Sequence, residues 1–312
     1  MPPILNARGE GLAQAWKASY IELFEGGLVY KRDDPNDSGE QIEASMTTEI
    51  INPDADPFIH MKAGTNAVDA PLLDYYYEMM GAKKGWLVDL TKTTEWEYMY
   101  ETCFTEYPNS ELRNDGKPAE PIDQKAWATK RIIERPYSRR TKMITWYPPR
   151  DTKMKNTPCL QGILFLMFPQ EDGNWLMDMR YNFRSRNVVD ASFGNMQGLY
   201  MVGCDMRDQV EKATGKTLDM RMVDHTDSYH VNSHSYPRFR NIANQMVCQD
   251  DIQRMRSRAE IVPMLQSVRF EVEDAIIAQT AKSYKGNLGE ERARVHAIGD
   301  RIFYLLDKYS PK

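Results

Sequence analysis

Two apolar runs joined by a four-residue turn constrain this chain of 312 residues more than any other feature. Residues 159–168 (CLQGILFLMF) read as a strand, Glu171-Asp172-Gly173-Asn174 as a hairpin turn, and residues 175–183 as the returning strand. In the second run Trp175, Met177, Met179, Tyr181 and Phe183 share one face, and Asp178, Arg180 and Asn182 share the other. Such a hairpin belongs to a sheet with one covered face.

Helical periodicity supplies the cover. Residues 11–30 read as a helix, with Leu12, Trp16, Tyr20, Leu23 and Phe24 at three- and four-residue steps and a stop at Gly26-Gly27. Further helices are expected over 72–80, ended by Gly81, over about 122–134, over 195–214, and over 287–309, where Val295, Ile298, Ile302, Leu305 and Tyr309 form a stripe. Strands are expected over 45–51 and 143–147, and polar loops over 31–39 and 109–121. With no internal repeat, linker or low-complexity segment, residues 1–312 read as one α+β domain, a mixed or antiparallel sheet with helices packed on one side.

Composition bounds the partners. Forty Lys and Arg against 45 Asp and Glu leave a net charge of −5, which argues against a phosphate-tracking nucleic-acid binder. At 41% hydrophobic and 27% charged residues the chain can build a sizeable core, and disorder is excluded for most of its length. No run approaches 18 apolar residues and the N-terminus lacks a basic segment followed by an apolar one, so neither membrane insertion nor signal-directed export is expected, and the location reads as cytoplasmic. The four cysteines, Cys103, Cys159, Cys204 and Cys248, lie more than 40 residues apart without a C-x-x-C, the pattern of reduced thiols. Each is by default a small buried hydrophobe.

One cysteine has informative neighbours. Pro158-Cys159-Leu160-Gln161 opens the first strand, Arg184-Ser185-Arg186-Asn187 closes the second, and Asn195 follows eleven residues after Arg184. Upstream stand Ile122-Asp123-Gln124 and Ser138-Arg139-Arg140; downstream stands Ser228-Tyr229-His230-Val231. These segments resemble the thymidylate synthase and pyrimidine-nucleotide hydroxymethylase family, over residues 20–240 and most specifically over 122–232. The resemblance implies a thymidylate synthase-like fold and a homodimer formed through the sheet.

It also implies site roles. Cys159 would be the nucleophile that adds to C6 of a pyrimidine and turns C5 into a carbon nucleophile. A guanidinium near the thiol, that of Arg184, would favour the thiolate. Arg139, Arg140, Arg184 and Ser185 would bind a 5′-phosphate, with Arg139 and Arg140 reaching it from the opposite subunit, and Arg32 (or Lys31) adding a contact from the N-terminal loop. Asn195 would read the base edge, and His230 and Asn232 would face the sugar. Asp74, seven residues before Gly81, would be the general acid/base, with Glu78 as its competitor. Asn187 and Tyr107 would contact the co-substrate, 5,10-methylenetetrahydrofolate.

Three positions depart from the synthase pattern: Leu160 replaces a His beside the base, Asn187 replaces the folate-contacting Asp, and Asn232 replaces a Tyr at the sugar. These departures point to hydroxymethylation of a ribonucleotide, CMP, similar to the cytidylate hydroxymethylases of nucleoside-antibiotic biosynthesis. Asn195 instead matches the enzymes that methylate dUMP. A protein that binds nucleotide or RNA in this fold without catalysis is the alternative from another class. His225, His230 and His234 with Asp224 and Asp227 raise the question of a metal, but their surroundings are poor helix formers, so a shared ligating face is not expected and no metal is assigned.

Overall fold

The computed structural model describes all residues except 33–36, 62–68, 84–97, 110, 112, 114–118, 249–253, 285 and 312, and also leaves out the side chains of Arg32, Cys248 and Ser283. The expected loops over 31–39 and 109–121 therefore lie partly outside the described residues. The described elements are β1 (Ile4–Gly9), α1 (Leu12–Gly26), β2 (Leu28–Arg32), β3 (Gly39–Ile50), β4 (Ile59–His60), α2 (Asp69–Met79), α3 (Tyr100–Thr105), α4 (Gln124–Glu134), β5 (Lys142–Ile144) and α5 (Pro148–Asp151). They continue as β6 (Leu160–Pro169), β7 (Trp175–Asn187), α6 (Ser192–Thr214), β8 (Leu218–Val231), α7 (Tyr236–Cys248), β9 (Met255–Arg256), α8 (Arg258–Ser267), α9 (Arg269–Ser283) and α10 (Leu288–Lys308). Among the described residues no helix is long and apolar enough to cross a membrane.

The architecture is α+β. Seven strands form a mixed sheet in the order β1-β3-β8-β7-β6-β5, with β2 paired to the first part of β3 and β1 to the second. β7 and β8 run parallel, whereas β6 and β7 form the expected antiparallel hairpin. Met177, Met179, Tyr181 and Phe183 of β7, Met220 and Met222 of β8, and Ala44 and Met46 of β3 are buried in one core with Trp16 and Tyr20 of α1 and Leu199 and Tyr200 of α6. On the other face Asp178 is also fully buried, because Arg180 and Arg221 close over its carboxylate at 2.8–3.0 Å.

Several boundaries differ from the periodicity. The helix expected over 11–30 ends at Gly26, where the Gly27 N–H donates to the Leu23 carbonyl, and residues 28–32 are β2. A Cβ on Gly27 would stand 2.5 Å from that carbonyl oxygen and 2.7 Å from Ile42 Cγ1, so the chain turns there and the β-favouring Leu28-Val29-Tyr30 pairs with β3. α4 begins at Gln124 rather than 122, because the Asp123 carboxylate accepts from the Ala126 N–H. The strand expected over 143–147 stops at Ile144; Tyr147 turns into α5, its N–H donating to Asp151. α2 runs from Asp69 to Met79 rather than over 72–80, and the turn after it passes through Gly81, whose φ of +83° is open to glycine at little cost.

An irregularity crosses the middle of the sheet. Leu160, Phe183 and Thr226 stand side by side on β6, β7 and β8. The inward-facing sequence then steps by three instead of two, to Ile163, Arg186 and Tyr229. In β7 and β8 that step puts a cation into the core: Arg186, 3% exposed, bonds Asp224, 1% exposed, at 2.5 Å and lies over the rings of Phe183 and Tyr229 at 4.5 and 5.4 Å. Two guanidinium nitrogens of Arg186, Nε and Nη1, have no hydrogen-bond partner among the described residues. Removing one member of such a pair strands the other charge, so Asp224→Ala should cost about 3–5 kcal/mol in urea unfolding. Arg186→Met combined with Asp224→Ala should recover most of the loss; no recovery would show that the pair is not what stabilises this row.

Candidate active site

Cys159, Arg184, Asn187 and His230 lie beyond the row just described, toward one end of the sheet. Cys159 precedes the first residue of β6, and its carbonyl accepts from the Arg184 N–H at 2.9 Å. The Arg184 guanidinium folds back onto the same segment, Nε donating to the Pro158 carbonyl (3.2 Å) and Nη2 to the carbonyl and hydroxyl of Thr157 (3.0 Å each). Arg184 thus fixes the approach to the half-buried thiol while its own side chain stays exposed. On the inner side the Cys159 N–H donates to Tyr98 Oη and the Leu160 N–H to Tyr100 Oη, both at 3.3 Å. Leu160 itself is fully buried and its carbonyl accepts from the Thr145 hydroxyl. Burial, reinforced by Cys159 and, for Tyr98, by Tyr100, pushes both phenols far above the ordinary tyrosine range, so they remain protonated.

The first turn of α6 and the helix α2 form the second wall. Trp16 Nε1 donates to Ser192 Oγ at 2.8 Å, which sets the start of α6, and Tyr76 Oη donates to Gln197 at 2.6 Å, which locks α2 against it. Between these ties Asn195 Nδ2 donates to Tyr75 Oη at 2.9 Å. On α2 itself, Asp74 is ion-paired to Lys83 at 2.5 Å, while Glu78 lies 3.8 Å from the same ammonium. Burial raises the Glu78 carboxyl above its ordinary value against the pull of Lys83, and the neighbouring Asp74 charge adds to the rise.

The third wall is the junction of β7 and β8. Asn187 stands opposite His230, and its Oδ1 accepts from the N–H groups of Val189 and Asp190, building the turn into α6. His230 Nδ1 contacts the Ser228 carbonyl at 3.0 Å. Ser185 and Asn232 are half-buried in the same two stretches of chain. Ser233, next to Asn232, donates from both N–H and Oγ to Asp37, which ties the β2–β3 connection to this corner; Arg32 enters it through its backbone pairing with Gly39. Tyr107 lies at the same end, its hydroxyl donating to the Trp146 carbonyl at 3.0 Å.

Arg139 and Arg140 do not join the others. They are exposed at the far end of β5, where the neighbouring Thr141 carbonyl accepts from the Phe165 N–H. That position is at least six residues along β6 from Cys159, on the order of 20 Å. Within one chain the arginine pair and Arg184 cannot hold the same phosphate.

The remaining thiols and histidines occupy other settings. Burial pushes the Cys103 thiol up to about 11 and the Cys204 thiol up to about 12, which makes both poor nucleophiles; the Cys248 side chain lies outside the described residues. His225 contacts Thr47 and Asp227, and Asp224 is held by Arg186. Among the described residues no three His, Cys, Asp or Glu side chains are grouped to hold a metal ion. Tyr75, Tyr98 and Tyr100 escaped the sequence reading because an aromatic stripe at helical spacing signals core, and nothing in the spacing shows where a hydroxyl ends up.

No protein-family model matches the chain. Two archaeal proteins are similar to it, each carrying the name "Putative thymidylate synthase". The one from Methanosarcina barkeri is 27% identical over 236 residues, 75% of this chain and 93% of its own length. The one from Methanosarcina acetivorans is 25% identical over 240 residues, with the same coverage of both chains. This similarity supports the thymidylate synthase family. The mixed sheet with its helices is consistent with such a fold.

The raised Glu78 carboxyl has a pH signature. With a folded value above the 4.5 of the free side chain, the stability linked to Glu78 is fully present below pH 4.5 and is lost as pH rises through the folded value. Glu78→Gln cannot ionise. Its unfolding free energy minus that of the parent should therefore increase between pH 4.5 and 7 in urea titrations, and a decrease would show that Lys83 stabilises the Glu78 anion.

Proposed function

We propose that this chain transfers a one-carbon unit from 5,10-methylenetetrahydrofolate to C5 of a pyrimidine nucleoside 5′-monophosphate, and that CMP hydroxymethylation is the reaction. The single observation that carries the reading is that the Arg184 side chain fixes the segment carrying Cys159, with Asn187 opposite His230 farther toward the same end of the sheet. The similarity to proteins named as thymidylate synthases supports the same chemistry at the level of the family.

The residues divide the work by their chemistry. Cys159 Sγ forms a bond to C6 of the base, and the electron pair displaced from the C5–C6 double bond makes C5 nucleophilic. The folate co-substrate supplies the electrophilic methylene group, next to Asn187 and Tyr107. Once C5 has lost its proton and the folate has left with the nitrogen electron pair, water adds to the exocyclic methylene and expels the thiolate from C6. This sequence is redox-neutral, whereas methylation would consume a hydride. Of the two acids on α2, Glu78 is the better proton carrier, because burial raises its carboxyl above the ordinary value while Asp74 is ion-paired to Lys83 at 2.5 Å.

Arg184 and Ser185 bind the phosphate from one subunit. Arg139 and Arg140, roughly 20 Å away along β6, serve the site of a second copy in a homodimer formed through the open face of the sheet. The buried Leu160 leaves no polar group beside the base at that position, and Asn232 leaves room at the sugar for a 2′-hydroxyl. Methylation of dUMP is the second reading, favoured by Asn195, which is the base-reading residue of synthases.

Incubation with a 5-fluoropyrimidine nucleotide and methylenetetrahydrofolate should give a covalent adduct at Cys159 by mass spectrometry, absent in Cys159→Ser; a binder without catalysis gives no mass shift. Offering CMP, dCMP, UMP and dUMP in turn and weighing the products separates hydroxymethyl from methyl transfer. Subunit sharing has its own test. Arg139→Ala and Cys159→Ala proteins, each inactive, should regain activity when mixed and allowed to exchange, through the one intact site of the heterodimer. No recovery under demonstrated exchange contradicts the shared site.

A further inference from the structure

We infer that Tyr75 is a specificity-positioning residue: its hydroxyl holds the Asn195 carboxamide in one of its two orientations and so commits the site to one pyrimidine base. The inference rests on the reading of Asn195 as the base-edge contact and goes beyond it, because an asparagine alone does not choose. A carboxamide presents one donor and one acceptor side by side. In one orientation they match O4 and N3–H of uracil; rotated by half a turn, they match N3 and the 4-amino group of cytosine. A freely turning Asn195 would serve both bases.

In this structure Asn195 is not free. Its Nδ2 donates to Tyr75 Oη at 2.9 Å, which leaves Oδ1 and the second Nδ2 hydrogen for a ligand in a fixed order. Tyr75 is itself wedged in place. Its ring lies against Gly198, one helical turn beyond Asn195 on α6, so closely that a Cβ there would come 2.4 Å from Tyr75 Cε1. Burial keeps the phenol protonated. With Asn195 Nδ2 donating to it, the phenol acts as acceptor for the amide rather than as donor. Half a turn of the amide would then set its carbonyl oxygen against the lone pairs of Tyr75.

Two substitutions test this without touching Asn195. Tyr75→Phe removes the acceptor, and Gly198→Ala displaces the ring while raising helix propensity. Binding of CMP and UMP to the purified full-length proteins is measured by calorimetry, with thermal unfolding and circular dichroism confirming that each variant is folded. The parent should discriminate between the two bases, and in both variants the CMP-to-UMP ratio of Kd should move toward unity by about threefold to tenfold, the worth of one neutral hydrogen bond. The gain should fall on the base that the parent disfavours. A purely structural role for Tyr75 would weaken both nucleotides together and leave the ratio unchanged, which overturns the inference, as does a parent that binds CMP and UMP equally. Failure of the parent to bind any pyrimidine nucleotide overturns the functional reading first and this inference with it.

Discussion

The break in side-chain alternation across β6, β7 and β8 is the constraint on which the rest depends. A strand that alternated without interruption past Phe183 would turn Ser185 and Asn187 inward and Arg186 outward. The extra residue instead brings Arg186 into the core against Asp224, while Arg184, outward in either case, folds back on Thr157 and Pro158. Bulges commonly re-aim a side chain beside a functional site, and here three neighbouring strands are re-aimed in nearly one row. The cost is a buried ion pair with two guanidinium nitrogens unpartnered among the described residues, offset by the aromatic rings of Phe183 and Tyr229.

A second layer of organisation comes from tyrosines. Tyr98 and Tyr100 hold the backbone N–H groups of Cys159 and Leu160, and Tyr75 holds Asn195. All three phenols are pushed upward by burial, so they act as neutral dipoles rather than charges. Such an arrangement fixes geometry without adding negative charge near the Cys159 thiol. The acids on α2 stand behind this layer, one anchored by Lys83 and the other partly desolvated.

The β6–β7 hairpin was legible because its alternation is clean, and so were the helices α6 and α10, whose apolar stripes are long. β8 was not, since two of its inward positions are Asp224 and Thr226, which break the apolar pattern and make sense only once Arg186 is known to face them. β1 and the helices α7 to α9 were also missed. At the site, Cys159, Arg184 and Asn195 are singled out by the resemblance, which also assigns Arg139 and Arg140 to the opposite subunit; the distance of roughly 20 Å between them comes only from the β5–β6 register, because sequence distance says nothing about which end of a strand a turn reaches. Tyr75 was hidden for a different reason. An aromatic residue on a short buried helix reads as packing, and its role depends on a hydroxyl meeting an amide 120 residues away.

The central claim is that Cys159 activates C5 of a pyrimidine nucleotide, and the fate of the hydrogen at C5 reports it most directly. With CMP tritiated at C5, tritium should be released into water only with both methylenetetrahydrofolate and an intact Cys159 present, at the same rate as product forms. Retention of the label in the nucleotide under turnover conditions, or release that persists in Cys159→Ala, would contradict it.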